Sequence, residues 1–264
     1  MNMFFHELKA GRKSMIIWAC SLSAIVILMM SIFPAFMTDV EAAKKLFLGL
    51  PDAVKKMFGF YADTFFTLLG FYAYIFLFVV LCGSIQAMNL GTGIVSKEVS
   101  GKTADFLLSK PVSRKRILTA KLLAALAIMI ITDAVFFIVA VIMANIVKTE
   151  PFSMAKFIMI SLTLLFVQLM FFTLGFLISV IAPKIRSVLP ISLGVVFTFF
   201  LLNMVDSIIG EKAARYIIPF LYYDNSYIIR NGSYEVSFMI VEAVFIIVAI
   251  AASYRFYIRK DIKV

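Results

Sequence analysis

The chain has 264 residues, 63% of them hydrophobic, a mean hydropathy of +1.03 and a formal charge of +10. That apolar share lies well above the half expected of a soluble domain, and only a lipid solvent explains so many uninterrupted apolar runs. A basic balance of this size can mark a nucleic-acid binder, but in a membrane chain it belongs in loops facing anionic lipid, so no nucleic-acid partner is expected.

Residues 1–15 place Phe4, Phe5 and Leu8 on one helical face, with Glu7, Lys9, Arg12 and Lys13 elsewhere. This pattern predicts a short amphipathic helix lying along the inner membrane surface. The first span follows at 16–37, with Pro34 loosening its outer end; it is too long for a signal-peptide core and lacks a small-x-small cleavage site. Residues 38–63 alternate charges of both signs with Val40, Ala43, Leu46 and Phe47, then with Val54, Met57 and Phe58, and predict two short amphipathic outer helices. The second span is 64–90. Gly83, Ala87 and Gly91 recur every fourth residue along it, a stripe that lets helix backbones approach closely. Further spans are predicted at 117–147, 154–181, 187–206 and 236–257. Residues 207–235 hold apolar pieces too short to cross and read as a re-entrant outer segment. Tyr216, Tyr222, Tyr223, Tyr227 and Tyr234 suit a headgroup-level belt there.

The polar segment 91–116 carries Lys97, Lys102, Lys110, Arg114, Lys115 and Arg116 against Glu98 and Asp105. With the loop and both termini on one side, that side holds sixteen Lys and Arg and four acidic residues, while the other holds nine of each. Basic excess marks the cytosolic side, so both termini are expected in the cytosol of a multi-pass cell-membrane protein. The fold class is thus an all-α membrane protein with six transmembrane helices, forming a single membrane domain over 1–264.

Chemistry is sparse. His6 is the sole histidine, and Cys20 and Cys82 both fall inside spans, so no His cluster or disulfide framework is expected. Gly101-Lys102-Thr103 imitates part of a phosphate-binding loop, but Ser96 stands where the first glycine is required and a span precedes it instead of a strand. Nucleotide binding, metal sites and self-contained catalysis are therefore not expected. Val95, Val99, Thr103 and Leu107 instead recur on one helical face with Phe106 beside them, and Pro111 ends that helix. This suits docking on a partner. Asp133, in the middle of the third span, costs about 2.5–3.5 kcal/mol on insertion scales and should face protein or water. It either hydrogen-bonds a neighbour such as Gln168 or Thr132, or lies with Gln168 and Glu242 on a translocation path.

Glu98-x-x-Gly101-x-Thr103, Leu107-Leu108, Pro111-Val112-Ser113-Arg114, Ile117 and Lys121 together resemble the cytosolic loop of bacterial ABC type-2 exporter permeases. The resemblance extends to the six-span plan, the N-terminal surface helix and the outer segment before the last span. It implies a coupling helix between spans two and three. Glu98, Gly101, Thr103, Phe106, Leu107, Pro111 and Arg114 would meet the ATPase there. It also implies two permeases, identical or different, pairing in the membrane above separate ATPase subunits. ATP and magnesium would sit on those partners, with no cofactor in this chain. An ion-coupled secondary transporter using Asp133 and Glu242, and a non-transporting scaffold or sensor subunit, are the alternative readings. The substrate is not legible in the sequence.

Overall fold

A computed structural model describes residues 3–57, 62–100, 113–182 and 185–259; of these, the side chains at 46–47, 62–63 and 97–100 are not described. Among the described residues the chain is all-helical, with no strand. Helix α1 spans Met3–Met30, α2 Phe33–Thr38, α3 Val40–Leu48, α4 Asp52–Met57, α5 Ala62–Phe65 and α6 Leu68–Ser100. Helices α7 (Arg114–Val147), α8 (Met154–Ile181) and α9 (Val188–Ile209) follow. Two 3₁₀ turns, Ala214–Tyr216 and Pro219–Leu221, lead to α10 (Asn225–Asn231) and α11 (Val236–Arg259). Among the described residues, six stretches are long and apolar enough to cross a membrane: Met3–Thr38, Leu68–Ser96, α7, α8, α9 and α11. We call the end where α1 starts and α11 finishes the base, and the opposite end the crown.

Local chemistry sets the ends. Ser113 and Ser153 turn their hydroxyls onto the amides of Arg116 and Lys156, each at 3.4 Å, and start α7 and α8 as N-caps. Gly210 and Gly232 close α9 and α10 at φ 73° and 63°, a left-handed conformation that costs glycine nothing. Pro34 cannot donate a backbone hydrogen bond, and the first crossing accordingly breaks at Ser31–Ile32 before resuming as α2.

The predicted fourth span coincides with α8. Three expectations change. The surface helix over 1–15 and the span from 16 are not separate elements: α1 runs unbroken through them, because no proline interrupts them and Gly11 lets α1 press against Ile128 of α7. The second span does not stop at residue 90; α6 continues to Ser100, so the first part of the polar loop is a helical extension. Tyr222 and Tyr223 are buried in the core instead of forming a surface belt.

The core lies between α6 and α8, which pack along most of their length and are the two most enclosed crossings. α1 lies on α7, α11 on α8 and α9 on α6. The small-residue stripe explains the α6–α8 seam. A Cβ on Gly91 would overlap the Phe172 carbonyl and lie 2.9 Å from the Phe176 nitrogen. On the facing helix, a Cβ on Gly175 would lie 2.7 Å from the Met88 carbonyl oxygen. Without side chains at these positions, the two backbones touch. Near the crown the seam is fixed by Tyr72, which stacks on Phe157 at 4.2 Å and shares a 2.8 Å hydrogen bond with the Ser161 hydroxyl.

Candidate functional site

At 1.5 Å per residue, the 33 residues of α6 reach ~50 Å, against a hydrocarbon core of about 30 Å. Helix α7, with 34 residues, is as long. Both therefore extend beyond a bilayer, and the segment that joins them at the base carries the proposed coupling residues. Glu98 lies on the α6 extension and Arg114 opens α7. Gly101, Thr103, Phe106, Leu107 and Pro111 lie outside the described residues.

One residue ties this base together. Lys121, on the first turns of α7, is buried; its Nζ donates to the Ile94 carbonyl of α6 at 3.2 Å and lies 3.5 Å from the Glu7 carboxylate of α1. Lys121 is one of the sixteen basic residues counted above on the side of the loop and the termini. Its spacing from Arg114–Arg116 was the available signal, since a lysine more than one turn inside a span needs a partner. Thr119 adds a 2.8 Å hydrogen bond to Tyr254, joining α7 to α11.

At mid-bundle Asp133 faces the Gln168 carboxamide across α7 and α8, but neither group completes a hydrogen bond of normal geometry. Gln168 Nε2 lies 2.8 Å from where a Cβ of Gly83 would stand. One turn away on α6, Gln86 donates to Thr132 Oγ1 at 3.0 Å. Thr132 in turn donates to the Ile128 carbonyl at 2.9 Å. The structure thus brings Asp133 and Gln168 together, within a polar layer that includes Gln86 and Thr132. Glu242 lies elsewhere, on α11, where it accepts a hydrogen bond from the Tyr223 hydroxyl.

The crown holds a cavity of about 390 Å³. Its inner wall is a stripe of α6 at helical spacing, Ala73, Phe76, Leu77 and Val80, continued by Val167 of α8. The opposite wall is polar: Asn203, Asp206, Ser207 and Gly210 recur at i, i+3, i+4 and i+7 along α9. Arg215 stands at the rim, bonded to Glu235 at 2.9 Å and stacked over Phe238 at 4.2 Å. Tyr223 also lines the cavity. Burial pushes its phenol well above the ordinary tyrosine range, and its hydrogen bond to Glu242 pushes the same way. Burial alone lifts Tyr234 to about 12. Both phenols therefore stay protonated as hydrogen-bond donors through the physiological range. Among the described residues, no group of three His, Cys, Asp or Glu could hold a metal ion.

Six long apolar helices around a buried seam, with buried polar groups turned inward, define a multi-pass membrane protein. A family model described as ABC-2 family transporter protein matches residues 1–262, and the chain belongs to that family of transporter membrane proteins, which are transport components and not enzymes in themselves. No curated protein and no solved structure matches it.

Proposed function

We propose that this chain is the permease subunit of an ATP-driven exporter of the cytoplasmic membrane. The base faces the cytosol. Two permeases pair in the membrane, and two separate ATPase subunits bind ATP and magnesium beneath them. The family match over 1–262 carries this reading, and the charge asymmetry of the loops supports the orientation. The end of α6 with Glu98, the segment after it with Gly101, Thr103, Phe106, Leu107 and Pro111, and then Arg114 receive the ATPase. Closure of the ATPases on ATP moves that segment, and α6 transmits the motion along its length. A partner can shift the equilibrium between two bundle states only by binding them unequally, and the nucleotide-dependent shape of the ATPase pair supplies that difference.

The test uses the permease co-purified with its ATPase in proteoliposomes. Glu98→Ala and Phe106→Ala are expected to reduce permease-dependent ATP turnover at least tenfold, while leaving the thermal midpoint within a few degrees of wild type. Normal turnover in both variants would remove the coupling assignment. Asp133→Asn is expected to leave ATP-dependent turnover intact, because the proposed drive is the ATPase. Loss of turnover that tracks a proton or sodium gradient would instead favour the ion-coupled reading.

A further inference from the structure

We propose that the crown cavity is a binding slot for a slim amphiphile, one apolar chain with a hydrogen-bonding headgroup of no net charge. The inference rests on the exporter reading only where it calls this amphiphile the cargo; the slot itself stands on its geometry. The two walls differ in kind. Phe76, Leu77 and Val80 on α6, with Val167 on α8, offer an apolar strip reaching down to mid-bundle. Val167 is 13 residues below the crown end of α8, a depth of ~20 Å. Facing this strip, α9 turns its one polar stripe inward. Asn203 and Asp206 are 7% and 8% exposed, although polar groups on a crossing helix are costly unless they meet protein or water. The Asn203 carboxamide makes no hydrogen bond among the described residues, and Asp206 uses Oδ1 on the Glu211 amide at 3.1 Å. Asn203 therefore keeps an unused donor and acceptor in a slot whose other helices, α6 and α8, contribute mainly hydrocarbon, with hydroxyls only at Tyr74 and Thr163.

The charges at the mouth fix the headgroup. Lys56 and Arg215 line it together with Asp206 and Asp224, two of each sign. Arg215 is already paired with Glu235 at 2.9 Å, which leaves Lys56 against Asp206 and Asp224; an anion meets two carboxylates there, whereas a zwitterion or a hydroxyl- or amide-bearing head finds donors and acceptors at once. The volume lies near the lower end of ligand pockets, about 300 Å³, which suits one chain rather than two.

The chain has a single tryptophan, Trp18 on α1, so a reporter can be placed cleanly. In full-length protein carrying Trp18→Phe, the reporter is Phe220→Trp at the slot or, should that variant fold poorly, Leu77→Trp. Leu162→Trp, on the exposed face of α8, serves as the lipid-facing control. Nanodiscs without ATPase are titrated with bromoacyl lysophosphatidylcholine, with the matching lysophosphatidylglycerol and with a bromoalkane. We expect saturable quenching of the slot reporter by the zwitterionic probe at least tenfold below the concentrations needed for the other two. The control should show only linear partitioning. Adding Asn203→Leu should erase the tenfold preference. Linear quenching at both reporters, equal response to the bromoalkane, or quenching by brominated two-chain bilayer lipid to the same extent as at the control would each overturn the proposal. Because no ATPase is present, failure here leaves the exporter reading standing, and failure of ATP coupling leaves the slot standing.

Discussion

Gly91→Leu is expected to force α6 and α8 apart and cost about 3 kcal/mol, at the upper end of overpacking penalties. The physical reason lies in the partner atoms. The first atom of any side chain at Gly91 meets the Phe172 carbonyl and the Phe176 nitrogen, which belong to a helix backbone and cannot rotate away. Gly175→Leu should behave alike, since its Cβ would lie 2.7 Å from the Met88 carbonyl oxygen and 2.9 Å from the Thr92 nitrogen. Gly194→Leu supplies the internal control: no atom lies within 4 Å of a Cβ built there, so the same change on α9 should be close to neutral. Thermal unfolding of the detergent-solubilised protein, followed by loss of the monodisperse species, separates the three. Equal behaviour at positions 91 and 194 would mean that the seam is not held by backbone contact.

Lys121→Met is expected to loosen the base where α1, α6 and α7 meet. The substitution keeps most of the side-chain volume and removes the charge. It deletes the hydrogen bond to the Ile94 carbonyl and leaves Glu7 without this partner. Losing a charged hydrogen bond costs about 1.5–3 kcal/mol. The Glu7 pairing adds less, because that carboxylate is partly open to solvent. The effect should be local: amide exchange should rise over 90–100 and 3–12 while the α6–α8 seam stays protected. If α6 carries the ATPase motion, permease-dependent ATP turnover should fall along with this protection, and Lys121→Arg should restore part of both. Unchanged exchange at the base would mean that Lys121 holds nothing together.

The sequence made the crossings legible because hydrocarbon demands long apolar helices, and that demand leaves a direct trace. Ser153 and the Ala182-Pro183 step mark the ends of α8 as plainly as the structure does. Other features depend on contacts between distant segments. Residues 15 and 16 looked like a boundary because polarity changes there, but helix continuity depends on hydrogen bonds, which a polarity change does not break. Short apolar runs over 207–235 suggested tyrosines at headgroup level; only the folded chain shows Tyr223 reaching Glu242 and Tyr222 bonding the Tyr216 carbonyl at 2.8 Å. Asn203, Asp206, Ser207 and Gly210 recur at helical spacing, but from the sequence alone Asn203 and Asp206 at the outer end of span five read as capping or interfacial residues. Capping is indeed part of it, since Asp206 accepts from the Glu211 amide. A loop charge count cannot tell a lysine facing headgroups from one buried between helices, as Lys121 is. Asp133 faces Gln168 without closing a hydrogen bond to it, and Glu242, near the outer end of its span, lies apart from both and pairs locally with Tyr223.

The claim that carries the rest is that the base end of α6, with the segment following it, lies on the cytosolic side and is where a separate ATPase engages. Glu98→Cys, in a chain with Cys20→Ala and Cys82→Ala, can be probed with a membrane-impermeant maleimide, with Glu211→Cys as the crown reference. The account predicts that position 98 is labelled in inside-out vesicles and not in intact cells, that position 211 shows the reverse, and that bound ATPase subunit shields position 98. Labelling of position 98 from outside intact cells, or labelling that the ATPase does not change, would contradict it.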